Sequence, residues 1–237
     1  MNFNKLVVLL LSSILLTGCM YPEEEYSKNQ RPNEVQLEMM QKAVDQYSTE
    51  TGGYLPIQNR DIDTPIFQKY PIDYSKLREY QLIVEPPDNS FEKGGVYQYV
   101  IIHAETDPTV KVIDLRLTDK IREYNLKIDT YRQRNQYPPY GERVGGPVFR
   151  IKYEQLGMDN EPYVSSPYTG NPLPVFINGS GELVIDYRPD IFQLLKEKDY
   201  SYKEGDDLRY LLTDHYSIVP AYSEKIVLKN GEPVYSN

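Results

Sequence analysis

Hydrophobic residues recur at helical spacing in three stretches of the chain. Within residues 35–48, apolar side chains stand three and four positions apart, and Gly52-Gly53 follows as a stop signal. The same spacing predicts a second helix over residues 118–132 and a third over residues 189–198. Each helix has one apolar stripe to bury, and a twisted sheet is its natural partner.

Three β-hairpins are predicted by short runs of β-branched and aromatic residues that flank turn sequences. The paired runs are residues 96–104 with 110–117, 173–177 with 182–187, and 225–228 with 233–235. The turn of the second hairpin is Asn178-Gly-Ser-Gly181, and Asn and Gly readily adopt the positive φ that such a turn needs. Helices combined with antiparallel hairpins predict an α+β body.

Landmarks of the first half recur in the same order in the second half, which indicates an internal duplication. Val112-Ile-Asp-Leu-Arg116 matches Val184-Ile-Asp-Tyr-Arg188, and each run leads into a predicted helix. Two earlier pairs of landmarks are Val44-Asp-Gln-Tyr47 with Ile128-Asp-Thr-Tyr131, and Thr64-Pro-Ile-Phe67 with Gly146-Pro-Val-Phe149.

We therefore predict an α+β fold of two tandem units, each a helix plus an antiparallel hairpin. The first unit covers residues 35–117 and the second covers residues 118–237. The second unit carries a C-terminal extension that begins as a partial third unit. Two such units either pack as separate lobes or share one sheet, and the sequence leaves both arrangements open.

Residues 1–18 have the pattern of an export signal. Lys5 precedes an apolar run, residues 6–16, which is much shorter than the roughly 20 residues of a membrane-spanning helix. The run ends in Leu16-Thr-Gly-Cys19, which resembles the lipobox of bacterial lipoprotein signal peptides at every position. The resemblance implies cleavage between Gly18 and Cys19 and attachment of diacylglyceryl lipid, with palmitate-type chains, to the Cys19 thiol.

Cysteine usage favours a lipoprotein signal over an ordinary secretory signal. Cys19 is the only cysteine of the 237 residues, so the exported body has no thiol that would mispair in an oxidising compartment. Residues 19–34 are polar and contain proline, which predicts a flexible tether with a mean reach of about 20 Å. We expect the body to face the extracytoplasmic side of the cell membrane, held there by lipid.

The charge and the aromatic content of the chain indicate which classes of binding partner to expect. The formal charge is -9, and an acidic body is a poor partner for nucleic acid or for anionic lipid surfaces. There are 23 tyrosines and no tryptophan, and we expect many of the tyrosines to be half-buried strand residues rather than a surface that binds sugars or peptides.

The sequence lacks the residue patterns of common catalytic and metal sites. Only His103 and His215 are available as histidine ligands or bases, and His103 lies in a strand-like run, residues 100–104, where we expect a strand-end residue rather than a ligand. One lipidated cysteine and two histidines do not make a usual zinc set, and neither a nucleophile elbow nor a phosphate loop occurs. We predict no catalytic residue, no metal site and no cofactor, and hence a protein that is not an enzyme.

Two acidic features have structural as well as functional interpretations. Asp114 and Asp186 occupy equivalent positions, where we expect them to face solvent or to cap the following helix rather than to form a catalytic pair. Residues 88–92 place oxygen ligands close together but lack the twelve-residue pattern of a calcium loop.

Two resemblances extend beyond the signal. The segment from Val44 to Tyr47 and on to Gly53-Tyr-Leu-Pro56 resembles the turn that follows the long helix of type II pseudopilins, although the N-terminal helix typical of pilins is absent. Over most of its length the chain resembles uncharacterised lipoproteins of Gram-positive spore-formers. Some of these carry the label of ABC-transporter substrate-binding protein, and the resemblance implies no catalytic residue.

Two functions fit these features. The first is a non-catalytic binding or envelope-assembly module that contacts an envelope protein, a peptide or a cell-wall ligand. Residues 162–174, with Tyr163 and Tyr168, are the candidate binding loop, because exposed loops often carry function. The alternative is a solute-binding lipoprotein of an ABC importer, although predicted hairpins differ from the parallel strands of such receptors. An envelope hydrolase would need a base that the sequence does not identify.

Overall fold

Asn33 starts the first helix because its side chain caps free backbone N–H groups. Asn33 Oδ1 accepts hydrogen bonds from the backbone nitrogens of Val35 at 3.0 Å and Gln36 at 3.4 Å. The computed structural model describes residues 32–198 and 200–236. Its α-helices are α1 (Glu34–Glu50), α2 (Tyr74–Glu79), α3 (Leu115–Asn135), α4 (Arg188–Glu197) and α5 (Arg209–His215).

The strands of the described residues pair antiparallel in every named pairing. They are β1 (Tyr97–Ile102), β2 (Thr109–Asp114), β3 (Tyr140–Gly145), β4 (Val148–Ile151), β5 (Tyr163–Ser165), β6 (Pro172–Asn178), β7 (Leu183–Ile185), β8 (Ile226–Lys229) and β9 (Glu232–Tyr235). Helices followed by antiparallel hairpins confirm the predicted α+β class. Within the described residues, no helix has the length and hydropathy of a membrane span.

The β1–β2 hairpin is the centre of the first half, and both of its faces are buried. One face, with Tyr97 and Tyr99, packs against α1 and α2, and the other face carries Val100 and Ile113. At the edge of β1 that faces away from β2, the backbone nitrogen of Ile72 donates to Tyr99 O at 3.0 Å. The N-terminal half therefore buries a sheet between two apolar layers.

The second of these layers comes from the C-terminal part of the chain. Residues 217–222 run along the free edge of β2, where Val112 N donates to Ser217 O at 3.0 Å and Val219 N donates to Val112 O at 2.9 Å. Further along, Ile185 N at the end of β7 donates to Tyr222 O at 2.7 Å. One segment thus bonds to both copies of the duplicated Val-Ile-Asp run.

The second half is built on a five-stranded sheet in the order β3-β4-β6-β5, with β7 on the other edge of β6. Helix α3 packs against it through Ile121, Tyr124 and Ile128, and α4, α5 and the β8–β9 hairpin complete the same core. Register shifts interrupt the pairing of β3 with β4. Such bulges and the exposed charges of β3 protect an edge strand from pairing with other chains.

Three helices begin with the same Asp-x-Arg clamp. In Asp114-Leu-Arg116 and Asp186-Tyr-Arg188, the carboxylate accepts from the arginine backbone nitrogen and also pairs with the arginine guanidinium. Asp207-Leu-Arg209 repeats these bonds at α5, with a guanidinium-to-carboxylate distance of 2.7 Å. Asp114 and Asp186 therefore serve helix starts, as expected, but both are buried rather than solvent-facing.

The three predicted helices and three predicted hairpins are present, with shifted bounds. Helix α3 begins at Leu115, three residues before the predicted start, because Asp114 caps it. The Thr64-Pro-Ile-Phe67 landmark forms a turn, whereas Gly146-Pro-Val-Phe149 enters β4, so these two copies differ in local structure.

Candidate functional site

A cleft of about 370 Å³ lies where the N-terminal half meets the C-terminal half, and we call it the junction cleft. Its walls come from the turn at residues 65–68, from α3, from the β6–β7 hairpin and from residues 222–224. This volume is within the range of small-molecule sites, which combine apolar walls with a few fixed polar groups.

Asn178 organises the acidic wall of the cleft. Its Nδ2 donates to Glu182 Oε2 at 3.0 Å and to Glu224 Oε1 at 2.7 Å. Its Oδ1 accepts from the backbone nitrogens of Ser180 at 3.0 Å and Glu182 at 2.9 Å, which fixes the amide orientation. A single buried side chain therefore holds two carboxylates next to each other.

Arg132 supplies a cationic group to the same lining. It stands in the last turn of α3, and its Nη1 lies 3.7 Å from the position that a Cβ on Gly181 would occupy. Gly181 has a φ of +84°, and a Cβ at this position would lie 3.1 Å from Pro138 Cγ, so the turn favours glycine. Ile121, Leu183 and Val184 form the apolar part of the cleft.

Tyr222 lies in the cleft wall with a φ of 58°, a left-handed conformation that is rare for an aromatic residue. The surrounding bonds hold it there: its carbonyl accepts from Ile185 N at 2.7 Å, and its hydroxyl donates to Thr118 Oγ1 at 3.1 Å. Backbone strain of this kind persists where neighbours enforce it, and it is concentrated at functional sites.

A smaller aromatic pocket of about 250 Å³ adjoins the other side of the 65–68 turn. Tyr210 contacts Phe67 at 5.3 Å between ring centroids and stacks on His103 at 4.7 Å. His103 directly follows β1 with a φ of 52° and opens the hairpin turn. His103 therefore lies at the end of the strand, as predicted from the sequence.

The two tyrosines of the candidate binding loop differ in their surroundings. Tyr163 lies in β5 with 57% of its surface exposed. Tyr168 packs between the two halves, where its ring lies 4.8 Å from that of Tyr216 and its hydroxyl donates to Ile218 O at 3.3 Å. Burial raises the pKa of the Tyr168 phenol well above its ordinary value. Of the pair, Tyr163 presents its ring to solvent.

A buried carboxylate fixes the turn that contains Tyr168. Asp190 on α4 accepts hydrogen bonds from Ser166 Oγ at 2.9 Å and Thr169 Oγ1 at 2.9 Å. Burial raises the pKa of Asp190, and the two hydroxyl donors oppose that rise. Ser166 Oγ also accepts from the backbone nitrogens of Tyr168 and Thr169, so the network is a structural turn support.

The remaining predicted residues do not join the junction cleft. Gly18 and Cys19 lie outside the described residues. In the acidic 88–92 segment, Asn89 Oδ1 accepts from Tyr99 OH at 2.8 Å, and Ser90 is buried. Across residues 32–198 and 200–236, no group of three His, Cys, Asp or Glu side chains has the arrangement of a metal site.

The junction cleft could not be predicted from the sequence because its polar residues are far apart along the chain. Asn178 and Gly181 were assigned to a turn alone, and neither Arg132 nor Glu224 belongs to a recognisable motif. The Asn178–Glu182 bond follows from the hairpin turn, but the contact with Glu224 spans 46 positions. The 217–222 segment, by fixing residues 222–224 beside β7, helps to bring these groups together.

Comparison with known proteins identifies one partial similarity. Residues 33–114 match the model of the YphF family N-terminal domain. The matched range begins at the N-cap of α1 and ends at the N-cap of α3, so it covers α1, α2 and the β1–β2 hairpin. No curated protein matches the chain, and no solved structure matches it. The matched range includes the 65–68 turn of the junction cleft, and the other cleft walls lie beyond it.

Proposed function

We propose that this protein is an exported, lipid-anchored, non-catalytic binding module whose ligand site is the junction cleft. The observation that carries the proposal is Leu16-Thr-Gly-Cys19, placed directly after a short apolar run and containing the only cysteine of the chain. Two acyl chains on one residue give firm membrane attachment, whereas a single chain binds only marginally. The acidic body, with a formal charge of -9 for the whole chain, needs such an anchor because basic residues do not provide one.

The binding role is supported by the lining of the junction cleft. Asn178 holds Glu182 and Glu224 in fixed positions, and apolar residues of α3 and β7 complete the walls. A rigid set of polar groups in a partly apolar cleft is the usual arrangement of a ligand site. Exposed Tyr163 adds a second surface for contact with an envelope protein, a peptide or a cell-wall ligand.

The solute-binding lipoprotein of an ABC importer is the second candidate, and the position of the cleft favours it. Groups from both halves of the chain line the junction cleft, as in a receptor that closes around its ligand. The strand pairing is less favourable, because the named strands are antiparallel, whereas doubly wound receptor lobes use parallel strands.

Replacing Cys19 with Ala tests the anchor. We expect the Cys19→Ala protein to leave the washed membrane fraction, because the thiol that accepts the lipid is gone. Immunoblotting of membrane, soluble and culture-medium fractions measures the change, and Tyr26→Ala in the tether is the matched control that should stay with the membrane. Membrane retention of Cys19→Ala at the wild-type level after alkaline washing would contradict the lipid anchor.

A further inference from the structure

The junction cleft carries acidic and basic groups that do not pair with each other. Within the described residues, Glu182 and Glu224 accept hydrogen bonds from Asn178 but form no ion pair with a lysine or arginine. Arg132 likewise forms no ion pair with a described residue, although it lines the same cleft. This separation of charges leaves both signs available to a ligand.

The acidic wall has the geometry to receive an ammonium group. Glu182 Oε1 and Glu224 Oε2 accept no hydrogen bond from a described residue, and the other oxygen of each carboxylate is held by the same Asn178 nitrogen. An ammonium has three donors and no acceptor, so it matches two neighbouring carboxylates. A cation between them also relieves the repulsion of two like charges that the amide keeps together.

The basic wall suits a carboxylate. The Arg132 guanidinium is exposed and lies near Gly181 in the 178–181 turn. Planar guanidinium groups bind carboxylates through two parallel hydrogen bonds, which fix orientation as well as charge. The apolar residues of α3 and β7 line the same cleft and suit a short aliphatic body.

We propose that the junction cleft binds a zwitterion, an amino acid or short peptide with free termini, through its ammonium at Glu182 and Glu224 and its carboxylate at Arg132. The inference rests on the proposed function, since it names the ligand class of the same cleft. A free amino acid and a peptide share this chemistry, and the cleft volume of about 370 Å³ accommodates either.

Isothermal titration of the chain from residue 19 onward, carrying Cys19→Ser, tests the proposal with four probes. These are L-alanine, L-alanyl-L-alanine, its N-acetyl derivative and its C-terminal amide. We expect one of the two zwitterions to bind, which distinguishes the amino acid from the peptide. For the peptide, we expect each cap to weaken binding at least tenfold, because each removes one charge.

Matched variants identify the wall that each terminus contacts. We expect Glu224→Gln and Arg132→Gln each to weaken zwitterion binding at least tenfold. Arg134→Gln on the same helix and Glu142→Gln on β3, which remove equal charges outside the cleft, should leave it unchanged. If the peptide binds, the N-acetyl probe should be insensitive to Glu224→Gln and the amide probe insensitive to Arg132→Gln. Thermal melting of each variant verifies folding, and Glu182→Gln on the same wall serves if Glu224→Gln is unfolded.

Two outcomes overturn the inference and separate it from the proposed function. If neither zwitterion binds at millimolar concentration, but a cell-wall fragment stabilises the protein and loses that effect in Arg132→Gln, the cleft is a ligand site of another chemistry. If L-alanyl-L-alanine binds equally to wild type, Glu224→Gln and Arg132→Gln, the zwitterion contacts a different surface and the cleft assignment is wrong.

Discussion

Val219→Asp is expected to unfold both halves of the described body in one transition. Val219 is fully buried in the 217–222 segment, where its backbone nitrogen donates to Val112 O at 2.9 Å. Its side chain lies in the apolar layer beneath β1–β2, together with Phe67, Val100 and Ile113. A carboxylate placed among these apolar side chains would be desolvated, so we expect the free energy of unfolding to fall by at least about 4 kcal/mol.

Urea titration monitored by tyrosine fluorescence and by circular dichroism measures this loss. Val84→Asp is the control, since Val84 is 90% exposed and the same substitution there should change stability by less than about 0.5 kcal/mol. Coincident transitions of the two probes are expected, because one segment bonds to β2 and to the end of β7. A variant that loses structure in two separate steps would show that the halves fold independently.

Asp207→Ala should produce the second large loss, because it leaves a buried guanidinium without its carboxylate. The side chains of Arg209 and Asp207 are 9% and 15% exposed, and Arg209 Nη2 lies 2.7 Å from Asp207 Oδ2. Removing one partner of such a pair costs about 3–5 kcal/mol, since the remaining charge stays desolvated. The Arg209 guanidinium also donates to Ser223 O at 3.0 Å, which couples the clamp to the wall of the junction cleft.

Asp119→Ala is the matched control for the clamp. Asp119 and Arg122 form an ion pair on α3 in which the side chains are 71% and 69% exposed, so its loss should cost less than about 1 kcal/mol. Chemical denaturation of both variants gives the comparison.

In the double variant Asp207→Ala/Arg209→Met, the buried charge is gone, and part of the stability should return. Equal losses for Asp207→Ala and Asp119→Ala would contradict the burial argument.

The helices and hairpins could be predicted from short sequence patterns. The position of residues 217–222 could not, because it depends on contacts between segments far apart along the chain. Helix α1 was predicted from apolar spacing, since its buried positions repeat at three and four residues. Helix α3 starts earlier than predicted because Asp114 both ends β2 and caps the helix. Residues 217–222 have no strong pattern of their own, and their place at the edge of β2 depends on a hairpin about one hundred positions earlier.

The two matching runs, residues 112–116 and 184–188, form the same aspartate–arginine pair at the start of a helix. Asp114 and Asp186 were recognised as equivalent, and both pair with the arginine two positions on. The third clamp, at Asp207, was missed although Asp-Leu-Arg repeats letter for letter, because no Val-Ile run precedes it. The junction cleft was not predicted, since Arg132, Asn178 and Glu224 meet only after the halves are joined.

Mass spectrometry of the N-terminal peptide of the membrane-extracted protein tests the central claim most directly. The lipid-anchor proposal predicts a peptide that begins at Cys19 and carries the added mass of a diacylglyceryl group on that residue. It also predicts that the Cys19→Ala protein yields no lipidated peptide. An N-terminal peptide that starts elsewhere, or one with an unmodified Cys19 thiol, would contradict the account.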